Sequence, residues 1–487
     1  MLMSCAAAQP SEKDWFAEGQ ATLAARKAVK PNTRKAKNVI LFVADGMGPT
    51  TVAAARIYDG QSRGEEGEEN LLSFERFPYL AMSKTYNTDA QTPDSAGTMS
   101  AMVTGVKTKA GIISLSDAVT RGDCASAKKA SVSTIGELAE KAGLATGVIS
   151  TARLTHATPA AVYAHAADRN WETDGSLPAE AIEAGCKDIA SQLIDFPFGD
   201  GLEVAMGGGR RHFLPADETD PEDADAKGRR RDGRNLTADW SAKSDDHVFI
   251  YDQEGFDALT DDARVLGLFE QSHMEYEADR ENDAGGEPSL AEMTEKAINI
   301  LSKDKDGFFL MVEAGRVDHA HHGGNAARAL RDAQAFSEAV TVARAMTRSK
   351  DTLIIATADH GHTLSFQGYP SKGNNILGLA DALFAEDEAD DGYARAADEK
   401  PYTTLVYANG PGTVFAGEND GERHAPTAEE VADLNYRQQA LIPSRSETHG
   451  GQDVTIYADG PHAYLFGGVV EQNYVFHVIN EALGFEQ

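Results

Sequence analysis

The chain has 487 residues, 41% of them hydrophobic, and carries 77 acidic against 45 basic side chains for a formal charge of -32. That is enough apolar material for a large core. It is too acidic a surface to follow nucleic-acid phosphates or an anionic membrane, and no apolar run approaches the ~18 residues of a membrane span. The surplus of acid serves solubility, and its sharper reading is adaptation to high salt, which screens the self-repulsion.

In chain order, Met1-Leu2-Met3-Ser4-Cys5-Ala6-Ala7-Ala8 is too short for the apolar core of an export signal. Leu2-Met3-Ser4-Cys5 has the form of a lipoprotein cleavage site, and it reads equally as an unstructured tail. From Lys37 onward strand patterns alternate with helical ones, the rhythm of a doubly wound, mostly parallel sheet with helices on both faces. The run Val39–Ala44 ends on Asp45. Ser95 follows Pro93-Asp94 and precedes small residues, where a helix would begin. A helix N-terminus stabilises an alkoxide or a phosphate, although a capping serine is the plainer reading of that residue alone.

Thr134-Ile135-Gly136-Glu137 has capping-box spacing and opens a short helix that Gly143 closes. The strand Ala145–Ser150 follows, then Thr155-His156-Ala157-Thr158-Pro159 as a turn. Ser289-Leu290-Ala291-Glu292 opens a helix with apolar Leu290, Met293, Ala297, Ile298 and Leu301. It leads into Phe308–Val312, which ends on Glu313, with Asp318, His319, His321 and His322 just beyond. Leu353–Ala358 ends on Asp359-His360. Stretches 64–70, 217–234 and 386–391 read as solvated charged excursions. Region 368–445 breaks the strand–helix rhythm and reads as an inserted subdomain, and no flexible linker splits the chain.

Parallel strands of an open sheet bring their carboxyl ends to one edge, where ligands bind. Asp45-Gly46 alone is an ordinary turn, and the histidines after Asp318 alone are a solvated cluster. Together, carboxylates and imidazoles from segments far apart point to divalent metal. The cysteines, Cys5, Cys124 and Cys186, form no C-x-x-C pair, so zinc would take His and carboxylate ligands. Cys124 and Cys186 could pair in an oxidising compartment, which sequence alone leaves open.

The segments Val43-Ala44-Asp45-Gly46-Met47-Gly48, Pro93-Asp94-Ser95-Ala96-Gly97-Thr98, His156-Ala157-Thr158-Pro159, Arg169-Asn170-Trp171, Val312–His322, Thr357-Ala358-Asp359-His360 and Glu447-Thr448-His449-Gly450-Gly451 resemble the alkaline phosphatases. The likeness is to the branch with the mammalian and marine bacterial enzymes, and it runs from about Lys37 to the C-terminus. It implies that Ser95 is the nucleophile of a phosphate-monoester hydrolase working at alkaline pH through a phosphoserine. One zinc would take Asp318, His322 and His449, and a second Asp45, Asp359 and His360. A magnesium would take Asp45, His156, Thr158 and Glu313. His156 stands where enteric enzymes carry Asp, which implies weaker magnesium affinity. Arg169 would grip the phosphate, oriented by Asp94, with His319 in reach of the phosphate or a magnesium-bound water.

The same resemblance implies a calcium site from Glu222, Glu270, Glu287 and the carbonyl of Phe269. It pairs Cys124 with Cys186, as in an exported, periplasmic or secreted protein. It makes residues 1–36 a possible dimer arm and 368–445 a crown-like subdomain of a homodimer. A sulfatase would need Pro and Arg at set positions after its nucleophile, where this chain has Ala96-Gly97. A phosphodiesterase of the same superfamily differs in loops that set ester size. A non-catalytic acidic metal-binding protein would leave Ser95 and Arg169 without a task.

Overall fold

The computed structural model describes residues 14–384, 391–412 and 422–485. Cys5, with the possible lipoprotein site, and most of the acidic stretch 386–391 lie outside them. The strands are β1 (Asn38–Ala44), β2 (Tyr79–Lys84), β3 (Ala145–Arg153), β4 (Val204–Gly208), β5 (His247–Ile250), β6 (Arg264–Leu268), β7 (Phe308–Ala314), β8 (Thr352–Thr357), β9 (Gly361–His362), β10 (Leu364–Phe366), β11 (Leu405–Gly410), β12 (Ala440–Pro443), β13 (His449–Gly450), β14 (Val454–Asp459) and β15 (Val469–Glu471). Ten of them form the central sheet in the order β15-β2-β14-β8-β1-β7-β3-β4-β6-β5. β14 runs antiparallel to both its neighbours and the other pairings are parallel. This is the doubly wound, mostly parallel α/β architecture.

The continuous apolar runs follow from burial on both faces, as parallel strands covered by helices require. Ile40, Phe42 and Ala44 join one core, and Val39, Leu41 and Val43 the other. The long helix Ala326–Met346 covers the first face, where Phe336 packs edge-on to Phe42 with ring centroids 5.8 Å apart. Each such fully buried side chain contributes about 1.5–3 kcal/mol. The helix Ser95–Thr104 lies on the second face with every residue buried. It stops at Gly105, whose φ of +75° suits glycine and where a Cβ would meet Phe476 at 2.7 Å.

Register places the site. Val43 pairs with Glu313 on one side and Thr357 on the other, and Ser150 pairs with Glu313. The residues that end β1, β7 and β8 therefore emerge side by side. The small sheet β10-β11-β12 and the pair β13-β9 share no strand with the central sheet. Cys124 and Cys186 are disulfide-bonded, with Cα atoms 6.0 Å apart.

Three local expectations change. Thr134 caps its helix by accepting from Glu137 N at 3.1 Å, but the Glu137 carboxylate turns to His165 at 2.5 Å instead of closing the box. The box at Ser289 and Glu292 is complete. The 217–234 stretch is not simply solvated. Arg230 is buried on Asp188, and Asp220 is buried on Arg210 at 2.6 Å. Burial of those charges is tolerable because each guanidinium finds carboxylates in bidentate geometry. Stretch 64–70 also has a tertiary partner, since Glu66 and Glu69 hold Lys372 at 2.5 and 2.8 Å.

Candidate metal centre and phosphate site

Asp45 leaves the end of β1 fully buried, and Gly46 after it has φ +77°. A Cβ on Gly46 would sit 2.5 Å from His362 Nε2, so this turn cannot accept another residue without displacing a histidine. Asp359 Oδ1 accepts from Gly46 N (3.1 Å) and His360 N (2.8 Å), and its Oδ2 accepts from Thr98 Oγ1 (3.2 Å). His360 Nε2 lies 3.3 Å from both Asp45 Oδ1 and Asp359 Oδ2. Ser95 Oγ is 3.1 Å from that nitrogen and donates to Asp45 Oδ1 at 3.5 Å. The serine hydroxyl thus looks into a buried His–Asp–Asp set.

A second set adjoins it. His322 Nε2 and His449 Nε2 stand 3.4 and 3.2 Å from Asp318 Oδ1 and 3.1 Å from each other. Their Nδ1 atoms are both taken by carbonyls, of Glu447 (2.6 Å) and Pro93 (2.8 Å). A carbonyl only accepts, so each Nδ1 carries a proton and each Nε2 is turned toward the other ring and Asp318. Burial opposes charging either ring, but Asp318 raises the pKa of His449, and two imidazole nitrogens this close beside a carboxylate have the make-up of a zinc ligand set.

Behind this set stand two residues that sequence reasoning missed. His362 Nε2 contacts Asp318 Oδ1 at 2.8 Å and its Nδ1 contacts Glu447 Oε2 at 2.5 Å. Thr363 N donates to the other Glu447 oxygen at 2.7 Å. Burial alone would lower the His362 pKa, but Asp318 and Glu447 outweigh it and push it up to about 9. The alternation in Asp359-His360-Gly361-His362 was the available signal. For Glu447 the signal was its place at the head of the family-like segment that holds His449.

A third set gathers Asp45, His156 and Glu313, with Thr158 Oγ1 donating to Asp45 Oδ2 at 3.5 Å. Glu313 Oε2 accepts from Ser150, another residue not expected, while its buried Oε1 and the Nδ1 of His156 have no hydrogen-bond partner among the described residues. Burial first, then the charge of Asp359, raises Glu313 to about 8. Burial and the neighbouring Asp359, Asp318 and Glu313 also raise Asp45 well above the usual range. Four buried carboxylates this close cannot all stay ionised unless cations offset them. The donor atoms therefore fit divalent metal, with nitrogen in the first two sets and mainly oxygen in the third.

Arg169 completes the site. Its NH1 donates to Asp94 Oδ1 at 2.5 Å, and its NH2 lies 3.0 Å from His156 Nε2. Asp94 also accepts from Gly111 N (2.7 Å) and Ala96 N (3.0 Å). Burial would raise its pKa, but Arg169 and these N–H groups hold it below the ordinary value. The His319 ring centroid is 5.5 Å from that of His156, and burial lowers His319 to about 3.

Away from this edge, Glu222 and Glu270 converge with Asp283. Glu287 is not in that tight set, but it is buried beside it. Burial, then Asp283 and Glu270, push it up to about 9, and its Oε2 has no hydrogen-bond partner among the described residues. Asp283, four residues before Glu287, was not expected. Phe269 precedes Glu270 with its ring buried against Phe256.

The alkaline phosphatase family model matches residues 36–485. The chain belongs to the alkaline phosphatase family. It is 44% identical over 482 residues to the human tissue-nonspecific isozyme, covering 96% of this chain and 88% of that one. It is 42% identical over 480 residues to the alkaline phosphatase of Gadus morhua, covering 97% of each. Among solved structures, the Thermus thermophilus alkaline phosphatase superposes with TM-score 0.65 at 25% identity, covering 99% of this chain and 96% of that one. The enzyme from the Antarctic bacterium TAB5, at 21% identity and TM-score 0.61 over 93% of this chain and 100% of its own, shares the fold. This alkaline phosphatase is a metal-dependent hydrolase of phosphate monoesters.

Proposed function

We propose that the phosphatase reaction runs through attack of Ser95 Oγ on phosphorus, and that Asp318, His322 and His449 hold one zinc and Asp45, Asp359 and His360 a second. Magnesium is assigned to Asp45, His156, Thr158 and Glu313. The observation that carries this reading is the convergence of His322 Nε2 and His449 Nε2, 3.1 Å apart, on Asp318 Oδ1. A variant of the TAB5 enzyme is described with Mg bound, which supports the magnesium. When bound, the metals supply Lewis acidity that favours serine as alkoxide and offsets charge on the entering and departing oxygens.

The chain's own residues do the rest. The first turn of the Ser95–Thr104 helix presents Ser95 with its hydroxyl toward Asp45 and His360. Arg169, aimed by Asp94, pairs with two non-bridging oxygens of a terminal phosphate, which favours a monoester over a diester. The P–O bond to the alcohol breaks as the Ser95 Oγ–P bond forms, and a proton restores the alcohol. Water then attacks the phosphoserine, releasing phosphate and returning the hydroxyl. Because the grip falls on the phosphate, specificity for the alcohol is broad.

Glu222, Glu270, Glu287 and the carbonyl of Phe269 are assigned to calcium, and the unpartnered Glu287 oxygen supports a cation there. Export to periplasm or medium is supported by the Cys124–Cys186 bridge. Among the described residues no helix is long and apolar enough to cross a membrane. A homodimer is supported by the helix Trp15–Ala28, whose residues all stay exposed among the described residues, with 368–445 as the crown-like part. Hydrolysis of p-nitrophenyl phosphate by Ser95→Ala protein tests the core of this reading: turnover collapses while the fold persists, and near-normal turnover would overturn it.

A further inference from the structure

Next to the phosphate arginine, three imidazoles from separate segments pack as a triangle. The His273 centroid is 4.0 Å from that of His319 and 5.3 Å from that of His156, and the third side is 5.5 Å. His273 comes from the segment after β6, where Met274 N donates to Thr151 O at 3.1 Å and ties it to β3. Arg153 N donates to His273 Nδ1 at 3.2 Å, and the Arg153 guanidinium touches the ring's other nitrogen. That guanidinium is itself fixed by Glu172, with two contacts of 2.7 Å.

The other two rings have fewer protein contacts, His156 being also assigned to magnesium. Nδ1 of His319 and Nδ1 of His156 have no hydrogen-bond partner among the described residues. His156 reaches Arg169 through Nε2, so a tilt of this ring moves the guanidinium that faces the phosphate. Among the described residues the aromatic ring nearest to His319 is that of His273. We propose that His273 is a positioning residue for the phosphate end of the site: its ring, anchored by Arg153, wedges His319 and His156 into place and through His156 sets Arg169. This rests on the assignment of Arg169 and His319 to the phosphate. Small errors in the placement of such groups cost far more than their contact energy.

The test compares His273→Ala, His273→Asn and His273→Phe, measuring inhibition by inorganic phosphate, kcat and KM for p-nitrophenyl phosphate, and zinc content. Phe keeps the ring and loses the nitrogen that accepts from Arg153; Asn does the reverse. The expected result is phosphate affinity weakened about tenfold in the Ala and Asn proteins, expressed in KM with kcat nearly unchanged and zinc retained. The Phe protein stays within about threefold of the parent. Unchanged phosphate affinity in His273→Ala overturns the proposal, as does a pattern in which Asn preserves affinity and Phe loses it. If the Ala protein does not fold, the Phe and Asn proteins decide. Arg169→Ala run alongside separates the layers. Loss of phosphate affinity there without loss in His273→Ala overturns this proposal alone. No loss in Arg169→Ala overturns the assignment of Arg169 and this proposal with it.

Discussion

The two sets proposed to hold zinc are built in opposite ways. Asp45, Asp359 and His360 sit at the ends of neighbouring strands, wholly buried, and their orientation comes from adjacent backbone such as Gly46 N and His360 N. Asp318, His322 and His449 come from a short helix and a distant strand. His322 is about a third exposed, and the set is tied together through Glu447, whose carbonyl holds His322 and whose carboxylate holds His362 against Asp318. One set is a product of sheet register. The other depends on a second layer of residues, and should be the first to lose its metal.

The largest effect that bears on this comparison is at the shared nucleophile. Ser95→Ala is expected to lower kcat at least about a thousandfold with both ligand sets intact, measured with p-nitrophenyl phosphate alongside zinc content. Arg169→Ala should cost about a hundredfold in kcat/KM and leave zinc content unchanged, since it touches neither set. Glu447→Gln should weaken one zinc about 10–100-fold and spare the other. Equal loss of both in a competition with a chelator would erase the distinction drawn here.

Proton linkage gives a subtler test in the metal-free protein. Glu313 is raised from 4.5 to about 8 and His362 from 6.5 to about 9. A group whose pKa is raised on folding adds stability below its unfolded value and loses it as pH climbs through the folded value. The metal-free protein should therefore lose stability from about pH 4.5 to 9. Metals bind the deprotonated ligands, so the Tm gap between loaded and stripped protein should widen over that range. The smallest effect is expected far from both sets. Glu270→Gln should abolish calcium-dependent thermal stabilisation of a few degrees while kcat holds, as read by calorimetry with and without calcium.

How much was legible follows from the same contrast. Asp45, Glu313 and Asp359 could be read because each ends an apolar run, and a parallel sheet leaves such ends one place to go. The pairing of Cys124 with Cys186 and the roles of Asp318, His322 and His449 came from family resemblance, since helix and loop ligands carry no register. His362, Ser150 and His273 were not legible. They act through tertiary packing against ligands, and in the sequence a buried second-layer histidine looks like any other. Arg230 and Asp220 misled for the converse reason: a charged stretch reads as solvated, and only the fold supplies the partners that let it be buried.

The measurement closest to the central claim is p-nitrophenyl phosphate hydrolysis at alkaline pH by chelator-stripped protein titrated with zinc and then magnesium, with bound metal counted at each step. The account predicts no turnover without metal, recovery that completes only when the second zinc per chain is bound, and a further rise with magnesium. Full turnover in the stripped protein, or with a single zinc per chain, would contradict it.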